Sequence, residues 1–353
     1  MAREQPPVIA IIGLGPVGTA LGRALAHVRT DYRLVGHDRD AARAKAALAA
    51  GAIDEARWNL VAAVEDADLI VLTEPLDQTL LTIEHIAPHV RPGSLVTDTA
   101  PVMRPVLRAA ADLPAGVSFI SGHPILAGRL VAADAAAAAP ASAAADATPV
   151  NADADGTPGA GRTGAAASPF TGVAYCIVPA ASADAAAVRV LTNLIDAIGA
   201  EPYFIDADEH DALATAVDQL PHLAGAALAR VLGHSPSATD IGRLMPPSMH
   251  TTWLATGRDG VDAAAAAMMD RSAVLSWLDA LGRELAELRV RIAAADAAAI
   301  GEWLTEADAA RAHLAPASLD RRQGDGVDQN AAWNDIGSAN PLRGLLLGRR
   351  KGR

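Results

Sequence analysis

Val8, Ile9, Ala10, Ile11 and Ile12 form an unbroken apolar run that ends in Gly13-Leu14-Gly15-Pro16-Val17-Gly18, and apolar positions at helical spacing begin immediately after it. A short apolar run bounded by glycines predicts a strand buried on both faces, followed here by a tight turn and a helix. The pattern repeats down the chain. Residues 32–38 read as a second strand ending in Asp38, residues 41–50 as a helix, and residues 69–72 as a buried strand closing on Thr73-Glu74-Pro75. Further strands are expected over 95–100, 118–124, 170–179 and 199–205, with a helix over 183–198. The strands through residue 124 end in polar or turn-forming residues, which in a parallel sheet lie along one edge.

From Glu209 to about Leu314 the periodicity is helical throughout, broken at 233–236 and 243–248, and Asp206 or Asp208 is placed to cap the first helix. The expected architecture is an α/β Rossmann-type doubly wound sheet in residues 1–206, an all-α C-terminal domain in 207–314 and a flexible tail in 315–353. Residues 130–168 break into the first domain as a low-complexity insertion, with no large apolar residue between Val150 and Ser168 and too little to bury. Val274, Leu275, Leu278, Leu281, Leu285 and Leu288 supply more apolar surface than one small bundle needs. A homodimer through the C-terminal helices and an intramolecular bundle both fit that stripe.

Composition narrows the partners. The 353 residues allow two domains, and the apolar fraction of 51% with only 3% aromatics means alanine and small aliphatics dominate. A net charge of −12 argues against nucleic acid or an anionic membrane surface as the main partner, and a site at the carboxyl edge of such a sheet is expected to take a small-molecule substrate. The single cysteine, Cys176, lies in an apolar run and reads as a buried, inert thiol. No signal-peptide core or membrane-length apolar run is present, so the chain is expected to be soluble and cytoplasmic. No His/Cys/carboxylate cluster has the spacing of metal ligands.

Strand, glycine turn and helix in that order are the context a dinucleotide-binding G-x-G-x-x-G requires. Gly13 permits the sharp turn, Gly15 lets the backbone approach a pyrophosphate, Gly18 lets helix and strand pack, and Leu14, Pro16 and Val17 complete the loop. The helix start offers N–H groups and a positive dipole end to the phosphates. Asp38, 20 residues beyond Gly18, stands where a carboxylate holds the adenosine ribose hydroxyls. That favours NAD over NADP, although the adjacent Arg39 is able to stack on adenine or meet a 2′-phosphate, which keeps NADP open. A polar turn at Asp38-Arg39-Asp40 is the plainer alternative. Thr73, Glu74 and Pro75, at a strand's carboxyl end, are expected beside the nicotinamide half of the cofactor.

These segments, with Gly51-Ala52-Ile53-Asp54, Ala67-Asp68, Val96-Thr97-Asp98, Gly122-His123-Pro124, Glu209-His210-Asp211 and Leu220-Pro221-His222-Leu223, resemble the successive motifs of the prephenate/arogenate dehydrogenase family over about residues 8–312. The resemblance implies NAD-dependent oxidative decarboxylation of prephenate or arogenate, in tyrosine biosynthesis, with His123 as proton acceptor at the substrate hydroxyl. The alternative for His123 is a hydrogen bond to a backbone carbonyl at a strand end. His210 and His222 are candidates to support the site, His210 alternatively as a helix cap.

Several positions depart from the family pattern. Its serine and lysine after Thr-Asp, the serine positioning the catalytic histidine, are Pro101 and Met103 here, and its Ser-His before Leu-Pro-His is Asp218-Gln219. Its carboxylate-binding arginine best matches Trp253. Arg129, Arg243 or Arg258 are candidates to supply the lost charge, and Gln219, His222, Trp253 and Arg258 the candidate substrate contacts. Three readings remain: a prephenate or arogenate dehydrogenase with a rearranged anion site, an oxidoreductase of this fold acting on another substrate such as an aminated relative of prephenate, or a nucleotide-binding protein without turnover.

Overall fold

The computed structural model describes residues 6–29, 31–126, 168–246, 249 and 260–314. The insertion expected at 130–168 falls outside them except for Ser168, and so do Arg129, Trp253, Arg258 and the tail 315–353. Eight strands form one sheet: β1 Val8–Ile12, β2 Arg33–His37, β3 Glu55–Ala56, β4 Leu69–Leu72, β5 Leu95–Asp98, β6 Ser118–Pro124, β7 Ala174–Pro179 and β8 Glu201–Phe204. Their order across the sheet is β3-β2-β1-β4-β5-β6-β7-β8.

All neighbours are parallel except β6 and β7, where His123 pairs Cys176 in antiparallel register. Apolar patterning carries no strand direction, and the reversal follows from the connection: Ile125 donates to the Ala174 carbonyl at 2.9 Å, so the chain leaves and re-enters the sheet at the same edge. Strand β3, two residues long, has no signature of its own in the sequence.

Alternation along the buried strands feeds two cores. Ile9 and Ile11 point to the layer of helices α1 (Pro16–Val28) and α6 (Ala185–Ala197), with Leu21, Leu25, Phe170, Tyr175 and Leu191. Ala10 and Ile12 point to the layer of α4 (Leu76–Ile86) and α5 (Met103–Ala110), with Ile83, Ile86, Val106 and Phe119. Helices on both faces make the sheet doubly wound, as the strand pattern predicts. Short polar residues start the intervening helices. Asp40 accepts from Ala42 N at the start of α2 (Ala41–Ala49), and Asn59 from Val61 N at the start of α3 (Leu60–Val64). After β1 the chain winds outward to β2 and β3, then crosses back to β4 on the other side of β1. That reversal opens a crevice past the carboxyl ends of β1 and β4, where ligands of such sheets bind.

The C-terminal part is helical: α7 Ala207–Ala214, a π-helical turn Thr215–Gln219, α8 Leu220–Gly233, α9 Ala238–Leu244, α10 Gly260–Met269, α11 Arg271–Ala293 and α12 Ala297–His313. Asp206, rather than Asp208, caps α7 by accepting from Asp208 N and Glu209 N. Helix α11 buries Val274 but leaves Leu275, Trp277, Leu285, Val290 and Ile292 exposed. No helix among the described residues is long and apolar enough to cross a membrane.

Candidate active site

The glycine turn closes β1 where the strand order reverses. Gly13 sits at φ +93°, a left-handed backbone that disfavours a side chain, and its N–H donates to the His37 carbonyl at 2.8 Å. A Cβ on Gly13 would lie 2.8 Å from the Glu74 backbone nitrogen, and one on Gly18 would lie 2.5 Å from Thr73 Oγ1. Gly15 differs, because nothing lies within 4 Å of a Cβ placed there. The first turn of α1 has no side-chain cap. The two crowded glycines thus seal the turn against the sheet, while the third opens beside uncapped helix N–H groups. An anion of pyrophosphate shape fits that cradle.

Thr73 and Glu74 brace the turn. Thr73 Oγ1 donates to the Ile12 carbonyl at 3.1 Å and also reaches the Gly13 carbonyl, and Thr82 Oγ1 donates to Glu74 Oε2. Pro75 stands at the start of α4. Asp38, half-buried at the end of β2, accepts from Leu14 N at 2.7 Å and Asp40 N at 2.8 Å. It is bound to the glycine loop and is more than a surface turn residue, while Arg39 beside it is exposed.

His123 stands on the same edge of the sheet, three strands along, and is only 3% exposed. Gly122 brings it there, since a Cβ at Gly122 would meet Tyr175 Cε1 at 2.8 Å and the Asp98 carbonyl at 2.9 Å. His123 Nδ1 lies 3.1 Å from His210 Nε2, with the rings edge to face at 80°. His210 Nδ1 in turn lies 2.9 Å from Asp211 Oδ1. Asp211 also accepts from the backbone N–H of Met103 at 2.7 Å and of Arg104 at 3.2 Å, and from Arg104 Nε at 2.9 Å. Burial opposes charge on Asp211, but these donors outweigh it and hold the carboxyl below its ordinary range. Arg104 continues to Asp270 at 3.0 Å and to the exposed Asp208 at 3.3 Å. A chain of polar contacts therefore runs from His123 through the helical part to the start of α11.

His210 is thus a buried partner of His123 and not the cap of its helix, a role that Asp206 fills. The sequence offered no local signal for Arg104 or Asp270 in this chain, because their contact spans 166 positions. Met103, a departure from the family pattern, contributes its backbone N–H, which any side chain but proline provides.

Gln219 and His222 are both buried, and neither Gln219 amide atom has a hydrogen-bond partner among the described residues. They flank the junction of the π-turn and α8, a distortion frequent at functional sites. Arg243 is exposed and paired with Asp240. Cys176 is buried, which pushes its thiol up to about 11, as expected of an inert thiol.

Asp98, fully buried at the end of β5, accepts from Ala100 N at 2.9 Å, yet burial pushes its carboxyl up to about 7. Its ordinary value is 3.8, so the native state holds the extra proton between about pH 4 and pH 7. Wild-type stability therefore falls as pH rises through that window and levels off above it, by on the order of 1.4 kcal/mol per pH unit at most. Asp98→Asn removes the titration. The Tm difference, variant minus wild type, is expected to grow between pH 5 and pH 8; parallel Tm curves over that range would contradict the assignment.

Sheet order, glycine cradle and the carboxylate at the end of β2 define a Rossmann-type dinucleotide-binding protein carrying a helical C-terminal part. Residues 21–140 match the family model described as the prephenate dehydrogenase nucleotide-binding domain. The prephenate dehydrogenase of Bacillus subtilis is 25% identical over 237 residues, which is 66% of this chain and 55% of that one. The cyclohexadienyl dehydrogenase of Zymomonas mobilis is 24% identical over 316 residues, 87% of this chain and 95% of that one. Among solved structures, prephenate dehydrogenase from Aquifex aeolicus in complex with hydroxyphenyl propionate and NAD+ superposes with a TM-score of 0.67, at 19% identity over 87% of this chain and 98% of that one, a likeness of fold. The chain is thus similar to prephenate dehydrogenases, with the family model confined to its nucleotide-binding domain. It spans about half the length of the Bacillus subtilis relative.

Proposed function

We propose that this protein is a nicotinamide-dependent dehydrogenase that oxidatively decarboxylates prephenate or arogenate, with NAD as the preferred cofactor. The observation that carries the reading is the burial of His123 on the sheet edge that also bears the glycine cradle. The Aquifex aeolicus enzyme, solved with NAD+ and hydroxyphenyl propionate, supports a dinucleotide in the cradle and a ring compound nearby. When bound, the nicotinamide supplies the acceptor for the hydride that leaves the ring carbon bearing the hydroxyl. Gly13, Leu14, Gly15, Pro16, Val17 and Gly18 hold the pyrophosphate, Asp38 and Arg39 the adenosine end, and Thr73, Glu74 and Pro75 border the nicotinamide half. His123 takes the hydroxyl proton, and burial keeps water from competing for it.

Gln219 and His222 are read as substrate contacts on the strength of their burial and of the Gln219 amide, which has no partner among the described residues and which a ligand group would complete. Where the relatives' pattern has charged or basic groups, this neutral amide favours a second reading: a ring acid altered at a side-chain polar group, such as an aminated relative of prephenate. The exposed Leu275, Trp277, Leu285, Val290 and Ile292 on α11 support a homodimer through the C-terminal helices. The tyrosine pathway and a cytoplasmic location are consistent with this activity.

Turnover of prephenate and of arogenate, each with NAD and with NADP, tests the proposal through formation of the reduced cofactor. At least one acid is expected to be oxidised, with NAD the better cofactor. Asp38→Ala is expected to raise KM for NAD on the order of tenfold and to narrow the preference over NADP, because the ribose hydroxyls lose their acceptor. An unchanged preference would remove Asp38 from the cofactor site.

A further inference from the structure

We propose that the His210–Asp211 pair sets the protonation pattern of His123, doing in this chain what a serine at position 101 does in the family pattern. The inference rests on the reading of His123 as proton acceptor. Pro101 has no side-chain donor or acceptor, so the orientation of His123 must come from elsewhere. The structure offers His210, whose Nε2 lies 3.1 Å from His123 Nδ1.

The protonation pattern follows from the far end of the contacts. Asp211 is held as a carboxylate by two backbone N–H groups and by Arg104 Nε, and a carboxylate only accepts. The His210 nitrogen 2.9 Å from it, Nδ1, must therefore carry hydrogen. Arg104 already lies against Asp211 and Asp270, so the carboxylate facing His210 has its cation. A neutral His210 protonated at Nδ1 has a bare Nε2, which accepts from His123 Nδ1–H. His123 is then left with its basic lone pair on Nε2, the atom that must receive the substrate's proton. In the proposed reaction one proton moves from the hydroxyl oxygen to that Nε2, and the resulting imidazolium keeps donating Nδ1–H to His210. Among the described residues, Asp98 and Tyr175 pack beside Gly122, Cys176 pairs His123 across the strands, and Asp208 is exposed at the Arg104 end. Asp211, bonded to Nδ1, orients the His210 ring from the side away from His123.

His210 is thus a positioning residue, and two measurements separate that role from mere packing. The first is imidazole 15N NMR of the whole wild-type protein, with the His123 signals among ten histidines identified by their loss in His123→Asn. His123 and His210 are both expected to carry hydrogen on Nδ1 and none on Nε2; His123 protonated on Nε2 instead overturns the proposal. The second compares His210→Gln with His210→Leu. The amide oxygen of Gln is able to accept from Nδ1–H, so His210→Gln is expected to keep kcat within about tenfold of wild type. His210→Leu fills similar space without an acceptor and is expected to lose on the order of 10²-fold in kcat with KM little changed. Equal losses in both variants, or losses confined to KM, overturn the proposal. If the wild type oxidises neither acid, the functional reading fails, while the NMR result still decides the protonation pattern.

Discussion

Replacing His123 by Asn is expected to lower kcat by a factor on the order of 10²–10⁴ while leaving the affinity for NAD nearly unchanged. Two features of the structure separate these effects. His123 is three strands from the glycine turn, so its side chain takes no part in holding the pyrophosphate. It is also 3% exposed and locked to His210, so the proton it accepts has no ready substitute in solvent. Asn is smaller than imidazole and keeps a polar group facing His210, which limits structural damage, but it has no basic nitrogen. Calorimetric titration with NAD and steady-state kinetics on the same preparation separate the terms. A fall in NAD affinity matching the fall in kcat would place His123 in cofactor binding or folding and would remove its proposed role.

The glycine turn yields a second large effect, and its three glycines are expected to respond differently. Gly15→Ala adds a methyl group where the protein leaves space, at an extended backbone angle that alanine readily adopts. Its Tm is expected to stay within a degree or two of wild type, while the Kd for NAD rises at least about tenfold because the methyl stands where the pyrophosphate approaches. Gly18→Ala places its methyl group against the Gly13 carbonyl and the hydrogen-bonded Thr73 hydroxyl. Helix α1 must move away from the turn, so both stability and binding are lost; overpacking of this kind costs about 1–3 kcal/mol or more. Equal loss of Tm in the two variants would mean that the open side of Gly15 is no cofactor site. Retained NAD affinity in Gly15→Ala would mean the same.

Much of the first domain was legible because its signals are local. Val8 to Ile12 is apolar on both faces of a strand, and the glycines that follow are needed for reasons of space within a few residues. Asp38 was found by spacing and proves bonded to the glycine loop, a contact that the spacing implies without specifying. His123 and His210 were visible as members of short motifs, but their pairing was not, since 87 positions separate them. Arg104 and Asp270 carried no motif at all. The direction of β7 was hidden because burial patterns read the same in both directions. The π-turn at Thr215–Gln219 was hidden because one extra residue in a helix leaves the apolar periodicity almost intact. Met103 departs from the family pattern in its side chain, yet its backbone N–H serves Asp211. The drift noted at Pro101 similarly leaves His123 with a partner, supplied from another element.

The central claim is that the glycine cradle and His123 serve one reaction, in which oxidation and loss of the ring carboxylate are coupled. Stoichiometry tests it most directly, by following carbon dioxide release from carboxyl-labelled prephenate or arogenate alongside formation of the reduced nicotinamide. The account predicts one carbon dioxide per reduced cofactor with at least one of the two acids, both signals falling together in His123→Asn. Reduced cofactor without carbon dioxide, or neither signal with either acid, would contradict it.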